Sequence, residues 1–252
     1  MKLSVVIPAF NEARRILPSL ERIFSYLGSQ PYDSEVVVVD DGSTDATAAL
    51  VRERFRDRPA LRLLRYTPNR GKGYAVRQGA LQARGDWVLI SDADLSTPIE
   101  ELPKLVRALE QGFDVAIGSR ALPQSEVRKR QNLLRERAGK LFNWWVRHVV
   151  DLPFHDTQCG FKLFQRERMA AVWPHLTVDR FAFDVELLAV ALALGRRVAE
   201  VPVVWMNAPD STVNFWSGLE AYVEVWRIRK RVQAVRALAV GVPGATTPPT
   251  VR

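Results

Sequence analysis

Short apolar runs alternate with longer stretches of mixed polarity through the first half of the chain. Leu3–Ile7, Val36–Val39, Leu61–Tyr66, Asp86–Ser91 and Val115–Ile117 have the length and apolar content of buried strands. The segments between them predict helices over Glu12–Leu27, Thr44 to about Phe55, Gly73–Arg84 and Pro98 to about Gln111. Ser43 or Thr44 is placed to cap the second of these helices, and Pro98 sits where the fourth would start. Strands alternating with helices imply an α/β fold, with a mostly parallel sheet covered by helices on both faces.

The second half is less regular. Gln131–Val149 reads as a helix with a basic start and an aromatic body (Phe142, Trp144, Trp145), Phe181–Leu194 as another, and Val198–Val204 as a strand. Phe215 to about Leu238 reads as a long amphipathic helix, and the proline-bearing tail 241–252 as disordered. The organisation expected is one domain over 1–240. It comprises a nucleotide-binding half to about residue 120, an acceptor half over about 121–212 and the last helix over about 215–238.

Parallel sheets bind ligands at the carboxyl ends of their strands. Here each strand ends in polar residues: Asn11-Glu12, Asp40-Asp41, Asn69-Arg70, Asp92 with Asp94, and Ser119-Arg120. Asp92-Ala93-Asp94-Leu95 is the most informative of these. It follows the apolar run Trp87–Ile90, and carboxylates at i and i+2 of an extended segment face the same side. Two hard oxygen donors suit Mg²⁺ or Mn²⁺, ions held by one or two carboxylates plus substrate phosphates. The pattern therefore points to a metal-bridged diphosphate and a nucleotide donor.

Other segments carry two readings each. In Asp40-Asp41-Gly42-Ser43-Thr44-Asp45 a carboxylate can accept the N3–H of uracil, whereas Ser43, Thr44 and Asp45 also suit a capped helix start. Asn69-Arg70-Gly71-Lys72-Gly73 can hold a phosphate at a helix N-terminus but lacks P-loop spacing. Between Arg120 and Lys140 stand seven basic residues and two acidic ones. They form either a solvated face or an anion site, in which Arg120 and Arg135 would grip a phosphate through their guanidinium forks. His155 and Cys159 lack zinc-ligand spacing, so Cys159 is expected as a small packed side chain. Asp184 and Glu186 stand either near a reacting sugar or at an acidic helix start. The last helix mixes Phe215, Trp216, Tyr222 and Trp226 with Arg227, Arg229, Lys230 and Arg231, which suits a membrane interface or a core-packing helix with a basic end.

Composition narrows the classes. The 252 residues are 47% hydrophobic, enough for a core, and 36 basic against 28 acidic residues give a formal charge of +8. Phosphates, nucleic acid or an anionic membrane surface are then plausible partners. No nucleic-acid recognition motif is present, so a basic nucleic-acid-binding protein remains only on charge. The first strand-to-helix turn, Pro8–Glu12, lacks GxGxxG, which argues against a nicotinamide dehydrogenase. One cysteine fits a reducing compartment. No signal peptide or membrane-spanning stretch is expected, which implies a cytoplasmic protein, peripheral at the membrane face.

Pro8-Ala9-Phe10-Asn11-Glu12, Val39–Asp45 and Asp92-Ala93-Asp94 together resemble the inverting family 2 glycosyltransferases, which have the Rossmann-like GT-A fold. Asn69–Arg77, Asp92–Pro98, Gly118-Ser119-Arg120, Asp156–Phe164 and Phe183–Leu188 narrow the resemblance to the dolichyl-phosphate β-glucosyltransferase family of polyprenyl-phosphate glycosyltransferases, with the mannose synthases close by. The resemblance spans roughly residues 3 to 231. Two features depart from it. The N-terminal membrane helix of the eukaryotic enzymes has no counterpart here, and Ala208-Pro209-Asp210-Ser211-Thr212 stands where a Gly-Ser-Lys-like segment is common.

The resemblance implies glucose transfer from UDP-glucose to a polyprenyl phosphate, with inversion and Mg²⁺ or Mn²⁺. It implies nucleotide contacts from Pro8, Ala9, Asn11, Glu12, Asp40, Asp41, Lys72, Asp92 and Ala93, and metal ligation by Asp92 and Asp94. Ser119, Arg120, Arg135, Gln158 and Lys162 would meet the acceptor. Asp92, Asp94, Arg120 and Arg135 would carry the chemistry, with Asp184 near the reacting sugar. A phosphate monoester is already ionised at neutral pH and needs little or no base; a soluble hydroxyl acceptor would need Asp184. GDP-mannose as donor, or a soluble acceptor, keeps the fold and changes the substrates.

Overall fold

The computed structural model describes residues 2–129, 143–206 and 215–240, with side chains at 129, 215–223 and 238–240 left aside. Arg135, the 208–212 segment, the tail 241–252 and most of the helix expected over Gln131–Val149 lie outside the described residues.

Strands β1 (Leu3–Ala9), β2 (Ser34–Asp41), β3 (Leu61–Tyr66), β4 (Trp87–Ile90) and β5 (Val115–Ser119) are joined through α1 (Ile16–Gly28), α2 (Thr47–Arg54), α3 (Lys72–Gln82) and α4 (Leu102–Glu110). Then follow β6 (Glu126–Lys129), α5 (143–150), β7 (Lys162–Gln165), α6 (Arg166–Met169), α7 (Phe183–Ala193), β8 (Val198–Pro202), β9 (Val204–Met206) and α8 (Phe215–Val240). The main sheet has seven strands in the order β3-β2-β1-β4-β7-β5-β8. Only β7 runs antiparallel to its neighbours in that sheet. β6 and β9 form a separate parallel pair.

Strands buried on both faces read as continuous apolar runs, and alternate residues feed opposite layers. Val6, Val37 and Val39 join the core beneath α3, α7 and α8. Leu3, Val5, Ile7, Val36 and Val38 join the core beneath α1 and α4. Helix α7 is buried along Phe183–Ala191, its carboxylates Asp184 and Glu186 included. In α8, Val225, Ile228, Val232 and Val235 pack into the first core, whereas Trp226 is exposed.

Several boundaries differ from the sequence expectation. Helix α1 starts at Ile16 rather than Glu12, because Asn11 adopts a left-handed φ of 55° and the chain turns before the helix begins. Helix α2 starts at Thr47, and Asp45 rather than Ser43 or Thr44 serves its first turn, accepting from the Thr47 N–H at 2.9 Å. The segment after Pro98 opens as a 3₁₀ turn, Ile99–Glu101, before α4. The single strand expected over Val198–Val204 divides after Pro202: β8 pairs with β5 and β9 with β6. Strand β6, rich in charge, gave no apolar signal.

The winding reverses at β1: β2 and β3 lie to one side of it and β4 to the other. A sheet of this kind opens a crevice at such a reversal, outside the carboxyl ends of its strands. The ends of β1, β2 and β4 meet there.

Candidate active site

The loops after β1 and β2 are latched together. The Asn11 N–H donates to Ser43 Oγ at 2.9 Å, and Asn11 Oδ1 accepts from the Thr44 N–H at 2.9 Å. The Glu12 N–H donates to Thr47 Oγ1 at 2.8 Å, and the Ala13 N–H to Asp45 Oδ2 at 3.1 Å. Asn11 therefore braces the pocket wall through its backbone N–H and Oδ1. Pro8 and Ala9 end β1 within the sheet, and Ala9 pairs with Asp40.

The two aspartates after β2 have different tasks. Asp41 Oδ1 accepts from the Arg70 N–H at 2.8 Å, while Oδ2 accepts from Asn69 Nδ2 at 2.7 Å and the Gly71 N–H at 2.8 Å. It fastens the loop that starts α3. Gly71 takes φ +109° there, and a side chain at that position would meet the Asp179 carbonyl. Asp40 is fully buried; Oδ1 accepts from the Ser43 N–H at 3.1 Å, and Arg65 Nε lies 3.0 Å from Oδ2 without the alignment of a hydrogen bond.

Past β4, Asp92 and Asp94 lie at the crevice with partly open side chains. Lys72, at the start of α3, places Nζ 2.6 Å from Asp92 Oδ1. Burial disfavours the charged form of Asp92, yet Lys72, with Lys162 and Arg120 beyond it, holds the carboxyl below the usual range. Asp94 Oδ1 accepts from the Ser96 N–H at 2.9 Å, and Oδ2 lies 3.8 Å from Arg15 Nη1. That buried Nη1 has no hydrogen-bond partner among the described residues. Glu12 binds Arg15 through both oxygens at 2.8 Å. Burial pushes the Glu12 carboxyl up; Arg15 opposes this and the charges of Asp94 and Asp92 add to it. Ala93 is buried between the two aspartates.

The antiparallel β7 brings the second half of the chain to the same place. Its first residue, Lys162, pairs with Ile90 near the carboxyl end of β4 and with Ile117 in β5. The segment just before it thus runs past Asp92, and the Gly160 backbone lies directly against the Asp92 carboxylate. Arg120, just after β5, donates from Nε to Asp156 Oδ2 at 2.6 Å and from Nη2 to Asp156 Oδ1 at 2.9 Å. Burial opposes both charges, but the pairing holds the Asp156 carboxyl low and the guanidinium high. The Nε–Nη2 fork of Arg120 is therefore filled by protein, and Nη1 makes no hydrogen bond among the described residues.

Lys162 is fully buried, with Nζ 2.5 Å from both Asp184 Oδ1 and the Cys159 carbonyl oxygen. Asp184 is buried as well; burial pushes its carboxyl up, and Lys162 and Lys72 pull it back. Ser119 is buried, its Oγ accepting from the Ala121 N–H at 3.2 Å, and Gln158 is partly exposed. Glu186 is turned away from the crevice into the core. It accepts from the Thr177 N–H and hydroxyl and from the Val178 N–H, with Arg231 at 3.3 Å. Cys159 is buried as a small packed side chain.

The structure thus gathers Glu12, Lys72, Asp92, Asp94, Arg120 and, underneath, the Lys162–Asp184 pair. Sequence reasoning missed Arg15, Asp156 and Gly160 as contributors. The signal for Arg15 was its i,i+3 spacing from Glu12; the other two lay within the polar string ahead of β7. Among the described residues no three His, Cys, Asp or Glu side chains are grouped to hold a metal alone. Asp92 and Asp94 are hard donors that fit a divalent cation taking its other ligands from phosphate.

An acid-bearing crevice at the switch point of this sheet is the arrangement of nucleotide-sugar transferases with the GT-A fold. Among solved structures, glucosyl-3-phosphoglycerate synthase from Mycobacterium tuberculosis in complex with Mn²⁺, uridine-diphosphate and glucosyl-3-phosphoglycerate superposes with a TM-score of 0.63 at 20% identity, covering 97% of this chain and 81% of that one. The same enzyme with Mg²⁺ and uridine-diphosphate gives 0.63 at 20% identity over the same shares of the two chains. The family model for glycosyl transferase family 2 matches residues 4–173. The dolichyl-phosphate beta-glucosyltransferase of Drosophila melanogaster is 38% identical over 234 residues, 87% of this chain and 72% of that one. Its namesake from Saccharomyces cerevisiae is 37% identical over 228 residues, 83% of this chain and 68% of that one. The chain belongs to glycosyl transferase family 2 and is a hexosyltransferase.

Proposed function

We propose that the protein transfers glucose from UDP-glucose to a polyprenyl phosphate with inversion at the anomeric carbon. The observation that carries this reading is the Lys162–Asp184 pair. The one carboxylate proposed as a base is buried and held by an ammonium at 2.5 Å, so the site favours an acceptor that is already ionised. A phosphate monoester meets that requirement.

In this reading the acceptor phosphate oxygen attacks the anomeric carbon, and the bond from that carbon to the UDP oxygen breaks, with UDP leaving as an anion. Positioning and charge neutralisation then supply the catalysis. Asp40 is favoured over Asp41 for the uracil N3–H, since Asp41 is fully engaged by the Asn69–Gly71 loop while Asp40 Oδ2, buried beside Arg65, accepts no hydrogen bond. Pro8, Ala9 and Glu12 would line the nucleoside pocket, braced by Asn11. Asp92 and Asp94 would hold Mg²⁺ or Mn²⁺, whose charge would offset that of the diphosphate. Arg120, oriented by Asp156, would present its free edge to the acceptor phosphate, with Arg135, Gln158 and Ser119 assigned to the same half. Lys162 acts from beneath, by holding Asp184.

Among the described residues no helix is long and apolar enough to cross a membrane. We place the protein peripherally at a membrane face, where a polyprenyl acceptor resides.

The test is a transfer assay with Mn²⁺ or Mg²⁺, a short polyprenyl phosphate, and labelled UDP-glucose and GDP-mannose in parallel. Label passing from UDP-glucose to the lipid phase is the expected result. Label passing only from GDP-mannose would make the protein a mannosyltransferase, and slow UDP-glucose hydrolysis without lipid product would indicate a soluble acceptor.

A further inference from the structure

Lys72 and Asp92 approach from different elements, one from the first turn of α3 and the other from beyond β4. Their contact differs from the other ammonium–carboxylate pair in the crevice. The Lys162 and Asp184 side chains are 0% and 6% exposed, whereas those of Lys72 and Asp92 are 25% and 33% exposed. The outer pair can therefore part without stranding a buried charge, and the inner pair cannot. Lys72 is also the only cation within ion-pair distance of Asp92 among the described residues. Nothing in the backbone requires this contact, since the Asn69–Gly71 loop is already secured by Asp41.

We propose that Lys72 is an exchangeable counter-ion: it neutralises Asp92 while the donor site is empty, then transfers to the donor diphosphate and frees Asp92 for the divalent cation. This rests on the assignment of Asp92 and Asp94 as metal ligands. The physical reason is competition. An ammonium 2.6 Å from Oδ1 occupies lone pairs that a cation would need, and two positive charges on one carboxylate repel. Arrival of a diphosphate gives the ammonium a second anionic partner and removes that conflict. Cation and nucleotide then bind with positive coupling, and linkage makes the effect reciprocal. Lys72 is on this account a positioning residue that keeps the crevice from taking up cation alone.

The experiment measures Mn²⁺ binding to the full chain by electron paramagnetic resonance, with and without UDP, for the wild type, Lys72→Gln and Lys72→Arg. The wild type should bind Mn²⁺ weakly alone, with UDP tightening it by about tenfold or more. Lys72→Gln should bind Mn²⁺ alone about tenfold more tightly than the wild type and show little further gain from UDP. Lys72→Arg, which keeps the charge, should follow the wild type. Unchanged or weaker Mn²⁺ binding by Lys72→Gln in the absence of UDP would overturn the exchange. So would a wild type whose Mn²⁺ affinity ignores UDP, a result that needs no variant to fold. If Mn²⁺ fails to bind even with UDP, the metal assignment falls together with the exchange; if both bind without coupling, only the exchange falls.

Discussion

Gly160 rests its backbone against the carboxylate of Asp92, and both oxygens of Asp92 would collide with any side chain placed there. A glycine ahead of β7 thus sets where a carboxylate beyond β4 can lie. Gly160→Ala should move Asp92, and a displacement of about 1 Å at a reacting centre can cost about a hundredfold in rate. The expected outcome is a fall of that order in kcat/KM with a smaller loss of stability, about 1–3 kcal/mol from overpacking. Steady-state assays beside thermal melts would check this; a rate within threefold of wild type would remove Gly160 from the site.

Asp94 holds its loop through the Ser96 N–H with one oxygen and faces Arg15 with the other. Asp94→Ala should abolish metal-dependent turnover, by about a thousandfold or more, the scale of a lost transition-state charge interaction. Titrating Mn²⁺ into the transfer assay would show it. Near-normal turnover at ordinary Mn²⁺ would sink the assignment of Asp94 as a ligand.

Asp156 orients Arg120, and its side chain is only 2% exposed. Burial alone would raise its pKa, but the Arg120 charge and hydrogen bonds depress it below the ordinary 3.8. A depressed carboxyl stabilises the fold fully above its unfolded-state pKa and loses that contribution as pH falls through the folded one. Asp156→Asn should therefore be less stable than wild type at neutral pH by about 3–5 kcal/mol, and the gap should narrow below about pH 4. Denaturant midpoints across the acid range would measure this. A gap that stays constant into acid would contradict the pairing, and an unchanged KM for acceptor in the folded variant would contradict the role of Arg120.

Glu186, two residues from Asp184, does structural work instead. Its carboxylate ties the Thr177–Val178 backbone and Arg231 of α8 to α7. Glu186→Ala would leave two backbone donors and a cation unpaired and should cost about 2–5 kcal/mol. Thermal denaturation should show the loss, while turnover per folded molecule, assayed below the transition, stays near wild type. A large fall in kcat at unchanged stability would bring Glu186 back to the crevice.

The first half of this fold was legible along the chain because its information is local. Apolar runs such as Val36–Val39 bury both faces of a central strand, and polar residues must follow where such a run leaves the sheet. Spacing alone put Asp92 and Asp94 together beyond the end of β4, although the structure makes Ala93-Asp94 a turn rather than an extended segment, and the family strings added Arg120 and Asp184 as candidates. What the chain could not reveal was which side chains were already occupied. Asp40 and Asp41 are identical letters, yet Asp41 accepts three hydrogen bonds from the Asn69–Gly71 loop, whereas Asp40 accepts one from Ser43 and faces Arg65 with its other oxygen. Lys162 and Lys72 are both lysines near the site, but one is sealed against Asp184 and the other is partly open on Asp92. These differences arise from contacts between residues 20 to 30 or more positions apart, and above all from the reversed direction of β7, which carries the Asp156–Lys162 string back to the edge where β4 and β5 end. Residue type and spacing determine which chemistry a chain can offer; hydrogen-bond occupancy and burial, which only the packed structure specifies, determine which of those groups remain free to use it.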